Sequence, residues 1–153
     1  MNTTLNRAEL ARTLNVVKRA ARLSLGFVWI YEGVVPKILF IAAHPGQIEL
    51  VRHSGLFWGS PEATLLVLGI AQALMGVVLV MGWIERAAVL VATAAMAVLI
   101  ILVASGNPGM LTDPYGALIK DLCLIACALT VWMLAPICAE LRTGNSDGPS
   151  EPR

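Results

Sequence analysis

Four long apolar runs, separated by short polar breaks, dominate the pattern of this chain. The runs cover residues 23–43, 63–83, 87–104 and 117–138. A helix rises about 1.5 Å per residue and the hydrocarbon core of a bilayer is about 30 Å thick, so about 20 mostly apolar residues are needed to cross it. Each run is close to that length. The pattern therefore predicts an all-α integral membrane protein, folded as an antiparallel four-helix bundle.

The breaks between the runs contain residues that end helices. Residues 44–46 are His-Pro-Gly, residues 82–86 are Gly-Trp-Ile-Glu-Arg, and residues 106–109 are Gly-Asn-Pro-Gly. Glycine and proline favour turns over continued helix. We expect neighbouring helices to run in opposite directions.

Composition agrees with lipid as the solvent. The chain is 58% hydrophobic and 14% charged, whereas a soluble domain carries about a quarter charged residues. The net charge of +1 gives no concentrated basic surface for phosphate groups, so we expect the lipid bilayer, and not a nucleic acid, as a partner.

Basic residues predict the orientation, because cytoplasmic segments accumulate them. They gather at one end of the runs: Arg7, Arg12, Lys18, Arg19, Arg22, Arg86, Arg142 and Arg153. The other end has Arg52, with Lys120 just inside the membrane edge. We expect a multi-pass protein of the inner (plasma) membrane with both termini in the cytoplasm.

Three segments follow from this topology. Residues 1–22 form a basic cytoplasmic arm, residues 23–139 the four-helix domain, and residues 140–153 a tail without an apolar anchor, which we expect to be disordered. For the arm, two interpretations are open: an amphipathic helix on the anionic membrane surface, or a solvated extension of the first helix.

The first run contains two charges and a proline, Glu32, Pro36 and Lys37. Charges at such depth cost at least a few kcal/mol each unless they find partners, and proline kinks a helix. Counting helical rise from the outer end places Lys37 level with Asp121, and Glu32 level with Gln72. We therefore expect a Lys37–Asp121 ion pair and a Glu32–Gln72 hydrogen bond.

A pocket between the helices of a bundle combines apolar walls with a few convergent polar groups. The ligand-binding candidates are Trp29, Tyr31, Glu32, Lys37, Gln72 and Asp121. The charged pair could equally serve only to hold helices together. Catalytic residues are not identifiable.

No cofactor is evident from the residues, since no haem, flavin or iron–sulfur ligand set is visible. We expect no metal site, because His44, Glu49 and His53 lack further ligands. The odd number of cysteines, Cys123, Cys127 and Cys138, cannot form a complete disulfide framework, and their role is not assigned.

Three short motifs point to a family. Trp29-x-x-x-Gly33-x-x-Pro36-Lys37, His44-Pro45-x-x-x-Glu49 and Ser54-Gly55-Leu56 resemble the DoxX-like membrane proteins. The resemblance implies a four-helix bacterial inner-membrane bundle, although most of that family has no established biochemical role. Some relatives are regarded as membrane subunits of quinone-linked sulfur-compound oxidoreductases. The resemblance also implies a carboxylate near position 72, where this sequence has Gln72 instead.

We accordingly expect a membrane subunit of a redox system, with a quinone as ligand and a membrane or redox protein as partner, more than a stand-alone enzyme. Two alternatives are open. Glu32 in the first run also resembles the glutamate of small proton-coupled multidrug exporters, although Lys37 and the strong basic bias argue against that class. The third interpretation is an assembly subunit that binds no ligand.

Overall fold

The structure, a computed structural model, describes residues 7–55, 59–106 and 117–143. It consists of five α-helices and two short irregular helices: α1 (Arg7–Val34), a π-helix (Val35–Leu39), a 3-10 turn (Ile41–Ala43), α2 (Pro45–Ser54), α3 (Pro61–Met81), α4 (Glu85–Gly106) and α5 (Ala117–Thr143). No strand occurs within the described ranges. The predicted all-α class is confirmed.

Three helices of the described chain are long and apolar enough to cross a membrane. They are Pro61–Met81 with a mean hydropathy of 2.4, Glu85–Leu102 with 2.1 and Lys120–Leu141 with 2.3. These helices correspond to the second, third and fourth apolar runs. A membrane protein is therefore indicated by the helices themselves.

The first apolar run is interrupted at Pro36, as the sequence predicts, but its helix bounds differ from the prediction. Its α-helix begins far upstream at Arg7, ends at Val34 and passes into the π-helix, after which Phe40 (φ −121°, ψ 36°) leaves helical geometry. The basic arm is thus a continuous extension of α1, and the expected boundary at residues 22–23 lies inside this 28-residue helix. Because α1 carries the arm's charges, its composition alone does not mark it as a membrane span.

Helix α2 occupies a connection in which no helix was expected. Pro45 stands in its first turn, and Gly55 closes it at φ 65°, a left-handed conformation that suits glycine. A proline just inside the start and a glycine just past the end were the sequence signals for this helix.

Helix α3 is capped at both ends by its sequence. Ser60 Oγ accepts a hydrogen bond from the Ala63 amide at 3.1 Å, and Gly82 (φ 75°) ends the helix. The turn that follows leads directly into α4 at Glu85.

One buried cluster joins the four long helices. Its members are Leu25 and Trp29 of α1, Leu79 of α3, Ala88, Val89, Ala92 and Met96 of α4, and Leu124, Ala128 and Val131 of α5. Helix α1 packs mainly against α3 and also against α5, while α4 packs against α5. Many large apolar side chains outside the cluster are exposed, Phe27 and Met133 among them, as expected of a surface that faces lipid.

Three sequence predictions concern residues outside the described ranges, at least in part. Residues 1–6 of the predicted basic arm are not described, the turn predicted at residues 106–109 lies beyond α4 except for its first residue, and the predicted tail begins inside α5, with residues 144–153 not described.

Candidate functional site

Two pairs of glycines bring α1 and α3 into backbone contact. A Cβ added at Gly33 would lie 2.5 Å from the Gly69 carbonyl oxygen, and one added at Gly76 would lie 2.7 Å from the Gly26 carbonyl oxygen. No side chain fits at these positions without moving the backbone. Small residues allow membrane helices to pack this closely. The seam therefore holds the last turns of α1 firmly against α3.

Pro36 interrupts the hydrogen-bond pattern just after this seam. It has no N–H to donate to the carbonyl four residues earlier, that of Glu32. Lys37 Nζ donates to that Glu32 carbonyl oxygen instead, at 2.9 Å. The chain continues as a π-helix, in which the Phe40 amide donates to the Val35 carbonyl at 2.9 Å. Such π segments often occur at functional sites.

The Glu32 side chain reaches α5. Lys120 Nζ donates to Glu32 Oε1 at 2.6 Å, with side chains 40% and 24% exposed respectively. This ion pair links the end of α1 to the beginning of α5. Since charged hydrogen bonds are the stronger ones, the contact orients both helices at this level.

Two further charges lie beside this pair. Lys37 and Asp121 are both partly buried, and each is close enough to Glu32 and Lys120 for an electrostatic interaction. Within the described residues, Asp121 has no hydrogen-bond or ion-pair partner. We call these four residues, Glu32, Lys37, Lys120 and Asp121, the Glu32 cluster.

The predicted pairings are wrong. Lys37 and Asp121 form no ion pair within 4.0 Å, and no hydrogen bond joins Glu32 to Gln72, although all four side chains are described. The depth count assumed a regular helix up to Ala43. The helical segment ends at Leu39 instead, which places Glu32 nearer the level of Lys120.

The remaining candidates lie outside this cluster. Trp29 is 6% exposed and belongs to the apolar core, Tyr31 is 51% exposed, and Gln72 is partly buried on α3. The structure thus brings together three of the six candidates, Glu32, Lys37 and Asp121. It adds Lys120, which was visible in the sequence only as a second charge beside Asp121.

A second group of charges lies where the arm part of α1 meets the α3–α4 turn. Lys18 Nζ donates to Glu85 Oε2 at 3.0 Å, and an Arg22 guanidinium nitrogen donates to Glu85 Oε1. We call Lys18, Arg22 and Glu85 the Glu85 cluster. Next to it, the Arg86 guanidinium lies 5.4 Å from the centroid of the Trp132 ring, a cation–π distance. Sequence reasoning used these cations only for orientation and missed their partners.

Comparison with known sequences assigns the family. The sequence model of the DoxX-like family matches residues 26–129. That range contains Glu32, Lys37, Lys120 and Asp121, the whole Glu32 cluster. No curated protein and no solved structure matches the chain. Because the matched range covers more than half of the 153 residues, the protein belongs to the DoxX-like family.

Proposed function

We propose that the protein crosses the bacterial inner membrane four times and keeps both termini in the cytoplasm. Three crossings are α3, α4 and α5. The fourth is the apolar part of α1 with its π-helix: the stretch from Leu23 to Leu39 would extend about 25 Å at helical rise, near the lower limit for a span. Its close packing on α3 and α5 supports a place inside one antiparallel bundle.

The distribution of charge supports the orientation. Lys18 and Arg22 bond to Glu85, so the arm and the α3–α4 turn lie at the same end of the molecule. That end also carries Arg86, whereas Arg52 lies at the end where α2 joins α3. A cytoplasmic location of the more basic end follows from the positive-inside rule.

The proposed activity is that of a membrane subunit in a redox system that binds a quinone at the Glu32 cluster. The single observation that supports it is a set of two ammonium groups and two carboxylates at the π-helix break, only two of which bond to each other. A quinone carbonyl accepts hydrogen bonds, which Lys120 or Lys37 could donate. A quinol hydroxyl donates one, which Asp121 could accept.

The chain would supply binding and protons, and a partner protein would supply electrons. Reduction of a quinone to a quinol consumes two electrons and two protons. Asp121, which has no bonding partner among the described residues, is the group of the cluster suited to pass protons to the ligand oxygens, and Glu32 positions the Lys120 ammonium. The electrons would come from the cofactor of a redox partner protein. The residues around the Glu32 cluster would hold the quinone in a fixed orientation.

Binding of decylubiquinone to the purified full chain tests this proposal. Lys120→Met removes a charged hydrogen bond to the ligand, and Glu32→Gln removes the carboxylate that positions Lys120. Each change should weaken binding about tenfold. Glu9→Gln, an exposed acid in the first turn of the same helix, is the matched control and should bind like the parent chain. No measurable binding to the parent chain, or equal binding by all variants, would contradict the proposal.

The transporter alternative is disfavoured by the same ion pair. A proton-coupled exporter needs a carboxylate that is free to exchange a proton for a cationic substrate, whereas Glu32 Oε1 accepts from Lys120 at 2.6 Å. The assembly-subunit alternative predicts a different result. Neither the parent chain nor the Glu32→Gln variant would bind quinone, and the variant would still co-purify with a membrane partner.

A further inference from the structure

An open cleft lies between the start of α4 and the last third of α5. It has a volume of about 350 Å³ and is lined by Ile84, Glu85, Arg86, Ala135, Pro136 and Ala139. Pro136 has no N–H to donate to the Trp132 carbonyl, although α5 continues through it. The cleft thus combines a mostly apolar wall from α5 with a charged edge from α4.

The charge at this edge is positive. The Glu85 carboxylate already accepts from both Lys18 and Arg22, and Arg86 contacts the Trp132 ring and has no carboxylate partner among the described residues. Two cations therefore share the Glu85 carboxylate, and Arg86 is a third cation next to it in the chain. In addition, the buried Arg22 Nε makes no hydrogen bond. Glu140, next to Ala139 on α5, is exposed and has an interaction of its own.

Exposed aromatic side chains indicate the level of the cleft. Trp83 is 65% exposed and Trp132 is 40% exposed, and tryptophan is enriched where a membrane meets water. Further along α5, Leu129 and Met133 are also exposed and continue an apolar surface away from the cleft. In the topology proposed above, this end faces the cytoplasmic leaflet, where anionic lipids gather.

We propose that this cleft binds the head group of an anionic glycerophospholipid of the cytoplasmic leaflet. The phosphodiester lies against Arg86, whose planar guanidinium suits bidentate contact with phosphate oxygens. The acyl chains lie along the exposed apolar face of α5. The inference uses the proposed membrane topology and is independent of the proposed quinone ligand.

Native mass spectrometry of the full chain in mild detergent tests this assignment, with dioleoylphosphatidylglycerol and dioleoylphosphatidylcholine added in equal amounts. The parent chain should retain phosphatidylglycerol in preference to phosphatidylcholine. Arg86→Gln should lower the retained phosphatidylglycerol about tenfold, the loss of one charged contact, and Arg86→Lys should restore part of it. Arg52→Gln, an exposed arginine of α2, should leave retention unchanged.

Several results would overturn the assignment. Equal retention of the two lipids, or equal effects of Arg86→Gln and Arg52→Gln, would show that Arg86 does not select the head group. Displacement of phosphatidylglycerol by millimolar glycerol 3-phosphate would show a site for small phosphates. A circular dichroism melt of each variant reports whether it is folded. Glu32→Gln should keep phosphatidylglycerol, and Arg86→Gln should keep decylubiquinone binding, so the lipid site and the quinone site succeed or fail separately.

Discussion

The Glu85 cluster and the Glu32 cluster consist of similar residues, but they differ in how many of their charges bond to one another and in how exposed the side chains are. In the first, two cations bond to one carboxylate, and the three side chains are 13 to 18% exposed. In the second, one pair forms, its side chains are 24 and 40% exposed, and Asp121 has no bonding partner among the described residues. Sheltered charges that all bond within their cluster hold helices together, whereas a partly exposed charge without a bonding partner can bind a ligand.

The two clusters also differ in the backbone beside them. At the Glu85 cluster, α1 is a regular helix, and Gly82 ends α3 at a tight turn. At the Glu32 cluster, Pro36 interrupts the helix and Lys37 donates to the freed Glu32 carbonyl. The first region is thus built for stability. In the second region, the Lys37 ammonium already donates a hydrogen bond to a backbone carbonyl.

The largest effect is expected from Gly33→Ala, which tests whether the glycine seam is what holds the Glu32 cluster in place. Its Cβ would approach the Gly69 carbonyl oxygen and the Ala73 amide nitrogen at 2.5 and 2.8 Å, and backbone atoms cannot yield as a side chain does. We expect a loss of about 3 kcal/mol in the free energy of unfolding, measured by titration with sodium dodecyl sulfate in mixed micelles. Gly46→Ala on α2, where a Cβ meets nothing within 4 Å, should be neutral or slightly stabilising.

Glu85→Gln should have the next largest effect and tests the structural role of its cluster. It leaves Lys18 and Arg22 partly buried without their carboxylate. We expect a loss of about 2 kcal/mol, below the 3–5 kcal/mol typical of fully buried pairs, measured in the same titration. Decylubiquinone binding should be unchanged in the folded variant. A stability equal to that of the parent chain would remove the distinction between the two clusters.

Lys120→Met should destabilise the protein less than Glu85→Gln, because it breaks one ion pair where Glu85→Gln breaks two. Because Lys120 is 40% exposed, solvent or lipid head groups compensate for part of the loss, and we expect a change below about 1 kcal/mol. A double-mutant cycle with Glu32→Gln measures the coupling of the two side chains. A coupling larger than the effect of Glu85→Gln would make this pair the main structural contact.

Glu49→Gln should have the smallest effect of these variants on the free energy of unfolding. Glu49 and Arg52 form an i,i+3 pair at 3.2 Å on α2, with both side chains more than half exposed. The expected change in the free energy of unfolding is below about 0.5 kcal/mol. If this variant lost as much stability as Glu85→Gln, exposure would not explain the difference between the clusters.

Much of the architecture follows from the sequence pattern alone. Continuous apolar runs are the property that lipid requires of a spanning helix, and they located α3, α4 and α5 within a few residues. The position of Pro36 between Glu32 and Lys37 also predicted where the helix becomes irregular. A proline lacks an amide N–H and a charge inside an apolar run needs a partner, and both properties can be read from single residues. The three motifs led to the family that the comparison then showed.

Only the tertiary structure decided which charges meet. Counting residues gives the height of a side chain along a regular helix, but the direction in which it points depends on how the helix is rotated and where it ends. The π-helix, and the end of the helical segment at Leu39, changed both the height and the direction of the Glu32 side chain. Glu32 therefore bonds to Lys120 and not to Gln72. The same holds for Glu85, whose partners Lys18 and Arg22 come from a helix more than 60 positions away. Hydrophobic periodicity determines which residues can be buried, whereas the pairing of polar groups depends on contacts between helices that no single segment encodes.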